Sequence, residues 1–397
     1  MVINNYGFRS IWISNATSEL GGALFTACNS ILIYQLTGSA TALGSVWLIY
    51  YIPSFIMQLF IGPYIDRFSR KWIMISCQLV RMILALTLLL CLFLDAFTIA
   101  FLYIVQVIVG VIMPIFIPAN QAILPTVIKK EYLTKANASI DSTRQVMVIM
   151  GPVISGFLFD YLAIEWVLII IGVAFLLSSI MLLMVDEDYQ KSDLRNPWIH
   201  EFQEGIHTYF KHRLIVWLGV FFGFVHFGVG VTIVTTLPFI TTILDQSISA
   251  YGLFMAGFPI GYLIGAFIKQ RLSNLEGLGI LFTALFIGGC TYLSLGVTPW
   301  YLLAVVTEIV AGIVIAIFNI YNITLIQRVI PNHLMGKVTS VRLLIMRTML
   351  PLGILFATVT VPFVSIRILY LVIGSVICFT ATYGYFYLRK KNVMAIS

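Results

Sequence analysis

The sequence predicts an all-α membrane protein, twelve transmembrane helices in two six-helix bundles, and three observations lead there. Of the 397 residues 60% are hydrophobic and only 10% charged, too much apolar surface for one soluble core. A hydrocarbon layer about 30 Å thick needs roughly 20 apolar residues per helix, and charged or Gly/Pro-rich breaks divide the chain into twelve runs of that size. One long polar segment, 186–213, separates six runs from six, giving bundles at 1–185 and 214–397.

Each run has a readable start or stop. The first, 9–34, ends before Gly38; the second, 43–65, ends at Asp66-Arg67; the third, 71–94, opens after Arg70 and stops at Asp95. The fourth, 98–121, leads to Pro125 and a Lys129-Lys130 loop, the fifth, 137–160, follows Lys135, and the sixth, 164–185, precedes Asp186-Glu187-Asp188. In the second half the runs are 214–242, 250–271, 277–297, 300–327, 338–362 and 366–388, broken at Asp245, Arg271, Pro299, Arg328 and Pro362 and closed by Arg389-Lys390-Lys391. The first run lacks a cleavage-site pattern and carries Glu19 near its centre, so it reads as a retained helix rather than a signal peptide.

Basic residues near helix ends favour the cytoplasmic side. With the amino terminus inside, the inner segments hold nearly all the Lys and Arg outside the spans, and the outer loops hold only Arg367. The net charge of +7 is therefore a matter of topology, with both termini cytoplasmic, and needs no nucleic-acid partner. The five cysteines fall inside predicted spans with no metal-ligand spacing, so they read as packing residues and no metal site is expected.

Within the central segment, apolar residues at 198/199, 202, 206 and 209/210 have the period of an amphipathic helix that would lie along the inner membrane surface. His200 and His207 share one face of it and read as surface histidines. The halves show weak self-similarity. Tyr64 to Ser69 aligns with Ile268 to Ser273, Asn120 with Asn319, and Pro152 with Pro351, as internal repeats would require.

The stretch Gly62-Pro-Tyr-Ile-Asp66-Arg67-Phe-Ser-Arg70-Lys71 resembles the signature of the major facilitator superfamily, Gly-x-x-x-Asp-Arg-x-Gly-Arg-Arg/Lys, with Ser69 in place of the second glycine. An acid there can sit against the positive amino terminus of a neighbouring helix while the basic residues pair or face lipid phosphates. Gly151-Pro152-Val-Ile-Ser155-Gly156 is similar to the Gly-Pro-x-x-Gly-Gly element of antiporter branches, and an ordinary kinked membrane helix is the alternative. The layout as a whole resembles the branch that holds macrolide-efflux proteins and the enterobactin exporter, through Tyr34 to Ala40, Arg81, Leu124-Pro125 and Ile330 to Lys337. The resemblance implies a bacterial cytoplasmic-membrane exporter of a small molecule, driven by the proton gradient without an organic cofactor, and a monomer by default.

Charged side chains at membrane depth are functional candidates. Glu19 shares a helix face with Asn15, Ser18, Gly22, Thr26 and Asn29, and Glu308 lies on a helix with Gly312, Asn319 and Asn322. Glu19, then Glu308, then His226 are the proton-coupling candidates. For Glu19 a permanent ion pair is the alternative, for Glu308 a gate or packing role, for His226 a satisfied buried histidine. The substrate-cavity candidates are Asn15, Asn29, Arg81, Gln106, Asn319 and Arg347. Asp141, Arg144 and Arg342 lie closer to the cytoplasmic ends and join Gly62, Asp66, Arg67, Arg70 and Lys71 as gating residues, with Asp141 and Arg144 at pairing distance on one helix face. If Arg81 and Arg347 face the cavity they favour an anionic carboxylate siderophore; if they neutralise Glu19 and Glu308, that inference is lost. Macrolide or multidrug efflux is the closest rival, and a nutrient importer a weaker one. No phosphate-binding Gly-x-x-x-x-Gly-Lys-Ser/Thr loop and no His-Glu-x-x-His occurs, which disfavours an ATP-driven pump or a metalloenzyme.

Overall fold

The computed structural model describes residues 5–65, 68–187, 206–211, 213–271, 278–330 and 332–390. Among them there is no strand. The helices are α1 (Tyr6–Thr37), α2 (Ala40–Ile65), α3 (Arg70–Phe93), α4 (Ile99–Val127), α5 (Leu133–Tyr161), α6 (Ile164–Leu183), α7 (Arg213–Pro238), α8 (Ile248–Arg271), α9 (Leu278–Val297), α10 (Tyr301–Val329), α11 (Asn332–Thr360) and α12 (Ile366–Lys390). Each of the twelve contains a stretch long and apolar enough to cross a membrane, 19 to 32 residues.

Local chemistry sets the ends. Asn5 caps α1 by accepting a hydrogen bond from the Phe8 N–H at 2.9 Å. Gly38 closes the helix in the left-handed region at φ 59°, its N–H bonded to the Tyr34 carbonyl at 2.8 Å. A 3-10 turn, Lys130–Tyr132, leads into α5, and a π turn, Phe239–Ile243, closes α7. Prolines lie inside α4 (Pro114, Pro118, Pro125), α5 (Pro152), α8 (Pro259) and α11 (Pro351). Each removes one backbone donor, which lets the helix bend. Residues 206–211 are helical, with Thr208 and Tyr209 buried. The rest of the expected amphipathic helix, including Trp198 and His200, lies outside the described residues.

Contacts divide the chain into two compact units, Met1–Leu194 with Ser247–Gly252, and Arg195–Gln246 with Leu253–Ser397. In the first unit α1 packs on α5 and α6, α2 on α4, and α3 on α4 and α6. One apolar cluster joins Phe8 and Ile11 of α1 to Met74 of α3 and to Phe116 and Ile123 of α4, all buried. In the second unit α7 packs on α11, and α9 on α10 and α12. Aromatic pairs tie it together, among them Phe221 with Phe282 at 5.2 Å and Phe239 with Tyr370 at 5.2 Å.

Between lipid-embedded helices the attraction comes from close packing rather than from water, so small residues sit at the tightest crossings. Gly257, Gly261 and Gly265, spaced by four on α8, meet α10 at Glu308-Ile309 and Ile313. A Cβ at Gly261 would fall on the Ile309 carbonyl oxygen, and one at Gly312 on the Phe258 carbonyl. Gly261→Val should therefore lower stability by about 1–3 kcal/mol, the usual cost of overpacking. Leu263→Val, at a position 46% exposed on the same helix, should cost no more than about 0.5 kcal/mol. Thermal unfolding of the two purified variants makes the comparison, and equal midpoints would contradict the packing assigned to α8 and α10.

Candidate functional site

In the first unit a polar network crosses the bundle at the level of Glu19. Ser14 and Ser18 of α1, Gln78 and Arg81 of α3 and Ser178 of α6 are all buried. Gln78 donates to the Ser178 hydroxyl at 3.1 Å and to the Ser18 hydroxyl, while the Ser14 and Ser178 hydroxyls are 2.8 Å apart. Arg81, 4% exposed, donates to Gln78 Oε1 at 3.3 Å and to Ser18 Oγ at 3.5 Å. Its guanidinium carbon stands 4.1 Å from the centre of the Phe175 ring on α6. Gly22 makes this possible, because a Cβ there would come within 2.7 Å of the guanidinium.

Glu19 itself is partly buried, and its carboxylate lies in the fields of Arg144 and Arg81. Arg81 thus lies between three helices of one bundle with a carboxylate nearby. Asn15, 4% exposed, accepts a hydrogen bond from Asn120 of α4. Asn29 is 1% exposed and its Oδ1 has no hydrogen-bond partner among the described residues. Gln106 of α4 is also buried.

The second unit holds its carboxyl differently. Glu308 of α10 is partly buried, facing a stretch of α8 where Gly257 leaves room: a Cβ there would be 3.4 Å from the Glu308 Cβ. The phenols of Tyr292 on α9 and Tyr370 on α12, both in the interior, lie within reach of its charge. Thr235 of α7 donates to the Tyr370 hydroxyl at 3.0 Å, and Ser294 and Thr307 share a hydrogen bond at 3.1 Å. Among the described residues no Lys, Arg or His forms an ion pair with Glu308.

The remaining second-half candidates lie in other surroundings. His226 of α7 has Nδ1 3.0 Å from the Phe222 carbonyl oxygen, and its ring centre is 4.6 Å from that of Phe222. Arg342 of α11, 7% exposed, stands 5.1 Å from the same ring, and Phe222 stacks on Phe318 at 5.5 Å. Asn319 donates to the Tyr262 hydroxyl at 2.9 Å, and Arg347 is exposed. Asn322, which the sequence marks only as part of a polar helix face, is fully buried with neither amide atom hydrogen-bonded among the described residues.

Of the signature stretch, Asp66 and Arg67 lie outside the described residues, and Gly62 belongs to α2. Arg70 and Lys71 form the first turn of α3. Among the described residues the acid at that helix end is Glu187, three residues beyond the sixth helix's C-cap and 116 positions after Lys71; no local motif marks it. Asp141 and Arg144 pair at 3.5 Å as their spacing suggests, both exposed, a contact worth about 0–1 kcal/mol. In the antiporter-type element, Gly151 faces Ala23 of α1, while Pro152 and Gly156 meet Ser249 and Gly252, which group with the first unit. Asp160 Oδ2 accepts the Ser249 N–H there at 2.9 Å. No cluster of three or more metal-ligating side chains occurs among the described residues.

Comparison with known proteins agrees with this architecture. Macrolide efflux protein A of Streptococcus pyogenes is 23% identical over 381 residues, covering 93% of each chain. The MFS-type transporter YfmI of Bacillus subtilis is 25% identical over 415 residues, covering 97% of each. Among solved structures, the nucleoside transporter NupG superimposes with a TM-score of 0.73 at 14% identity over 96% of this chain and 98% of that one. A bacterial homologue of the iron transporter ferroportin, in an inward-facing state, also gives 0.73, at 15% identity over 95% of this chain and 98% of that one. The Major Facilitator Superfamily model matches residues 11–358, so the chain belongs to that superfamily and is a multi-pass membrane transporter rather than an enzyme.

Proposed function

We propose that the protein is a proton-coupled exporter of amphipathic, weakly basic molecules of the macrolide type, working by alternating access in the bacterial cytoplasmic membrane. The observation that carries this reading is Glu308: a carboxyl at membrane depth, among hydroxyls and glycines, with no cationic partner among the described residues. An uncompensated carboxylate in such surroundings is costly, so its charge is tolerated when a proton or a cationic ligand neutralises it. A proton and a protonated amine can then exchange at one group, the minimum that antiport requires. Glu19, in the fields of Arg81 and Arg144, has part of that neutralisation built in. The order of the two coupling candidates is therefore reversed, with Glu308 first and Glu19 second.

Charge placement also bears on the substrate. The anionic reading rests on Arg81 and Arg347 both facing the cavity. Arg81 is instead enclosed by Ser18, Gln78 and Phe175 within one bundle. Macrolide efflux protein A, a relative along nearly the whole chain, supports the amphipathic reading. Export of an anionic carboxylate siderophore is the second reading, favoured by the exposed Arg347 and by Arg342, whose Nε has no hydrogen-bond partner among the described residues. Both readings place the two termini in the cytoplasm and need no organic cofactor, and a monomer is the working assembly for both.

Expression in an efflux-deficient bacterial strain tests the substrate class. Cells carrying the wild-type gene should accumulate several-fold less labelled erythromycin than vector controls, and a protonophore should remove the difference. Retention of an iron-starvation carboxylate in a deletion strain, without any change in erythromycin content, would move the assignment to the siderophore reading.

Two variants test the roles of the charges. Glu308→Gln should reduce proton-driven erythromycin efflux at least about tenfold and weaken binding of the protonated drug, whereas full efflux by this variant would remove Glu308 from coupling. Arg81→Met should cost about 3 kcal/mol of stability, the scale for breaking a buried charge network, with erythromycin affinity within about twofold of wild type in protein that folds. A large loss of affinity with unchanged thermal stability would instead make Arg81 a substrate ligand.

A further inference from the structure

We propose that Glu187 and Lys71 form a two-way clamp between the start of α3 and the end of α6, and that Glu187 is thereby a positioning residue for the cytoplasmic signature loop. This rests on the transporter reading but not on the identity of the substrate.

The first four amides of a helix have no partner within it. At α3 all four are accounted for. The Arg70 N–H donates to Glu187 Oε1 at 2.9 Å and the Lys71 N–H to Glu187 Oε2 at 3.1 Å. The Trp72 N–H donates to Ser69 Oγ at 3.3 Å, and the Ile73 N–H to the Ser69 carbonyl at 3.1 Å. Ser69 Oγ also donates to Glu187 Oε2, which fixes the hydroxyl so that its lone pair faces the Trp72 amide.

The opposite helix end is held by the reverse charge. Lys71 Nζ donates to the Leu183 carbonyl at 2.9 Å and the Val185 carbonyl at 2.6 Å. A carboxylate thus sits on the positive end of one helix and an ammonium on the negative end of the other. The polarity of the clamp is fixed: exchanging the two side chains would place each charge against a helix end of its own sign.

Glu187 is the last described residue before the segment that leads into the second unit, and Ser69, Arg70 and Lys71 are the last three residues of the signature stretch. The clamp joins those two pieces of chain. Loosening the clamp should therefore slow conformational turnover while leaving the substrate-binding helices as they are.

Hydrogen–deuterium exchange of the intact transporter in nanodiscs reads the clamp directly, because Glu187 is the acceptor for two named amides. In Glu187→Gln, exchange in the peptide covering 69–72 should rise at least about tenfold, with exchange in the rest of α1 to α6 and the unfolding temperature nearly unchanged. Maximal erythromycin efflux should fall several-fold at constant KM, and Glu187→Asp should recover part of both effects. The double swap Glu187→Lys with Lys71→Glu should restore neither. Unchanged exchange in Glu187→Gln, or full rescue by the swap, would overturn the clamp. Accelerated exchange with full efflux velocity would overturn its positioning role. The exchange result keeps its meaning even if erythromycin proves not to be a substrate.

Discussion

In hydrocarbon an unpaired peptide N–H or C=O costs several kcal/mol, so a chain that crosses it repeatedly must satisfy its backbone within each helix. That constraint leaves helix ends and side chains as the places where polar chemistry can be arranged. The ends are finished by Asn5 and Gly38 on α1, by Ser69 with Glu187 on α3, and by a π turn at the close of α7. Between the ends, glycines at 257, 261 and 265 let α8 and α10 approach until backbone meets backbone. That closeness brings the α8 backbone against the Glu308 side chain.

The two membrane carboxyls show how surroundings separate groups of identical chemistry. Glu19 belongs to a network of serines, Gln78 and Arg81, with Arg144 also acting on it. Glu308 has hydroxyls and a glycine for neighbours and no opposing charge among the described residues. The first is a partly compensated charge inside one bundle. The second is a group whose state depends on what arrives, which is why the account gives it the exchange of proton for cationic substrate.

Much of the fold was legible because apolar run length and charge punctuation are one-dimensional signals. All twelve spans were readable, with ends off by a few residues where caps or short turns decide: α1 runs Tyr6–Thr37 rather than 9–34, and α5 starts at Leu133 after a 3-10 turn rather than at 137. The Asp141 and Arg144 pair follows from helical spacing alone. The site was less legible because its decisive facts are distances between helices. That Arg81 points into its own bundle depends on the gap at Gly22 and on the Phe175 ring, and neither is visible in residue order. Glu187 and Lys71 are 116 positions apart and meet only once α3 and α6 are packed. The signature's own acid, Asp66, lies outside the described residues, and the carboxylate seen on the α3 terminus, Glu187, comes from the other end of the bundle's sequence.

Proton coupling is the central claim, and the most direct measurement is proton flux in proteoliposomes that contain the purified wild-type protein and an internal pH dye, with no imposed gradient. Adding erythromycin to one side should drive protons in the direction opposite to the drug, in proportion to the drug moved and absent from empty liposomes. Erythromycin movement with no accompanying change in internal pH would contradict the account.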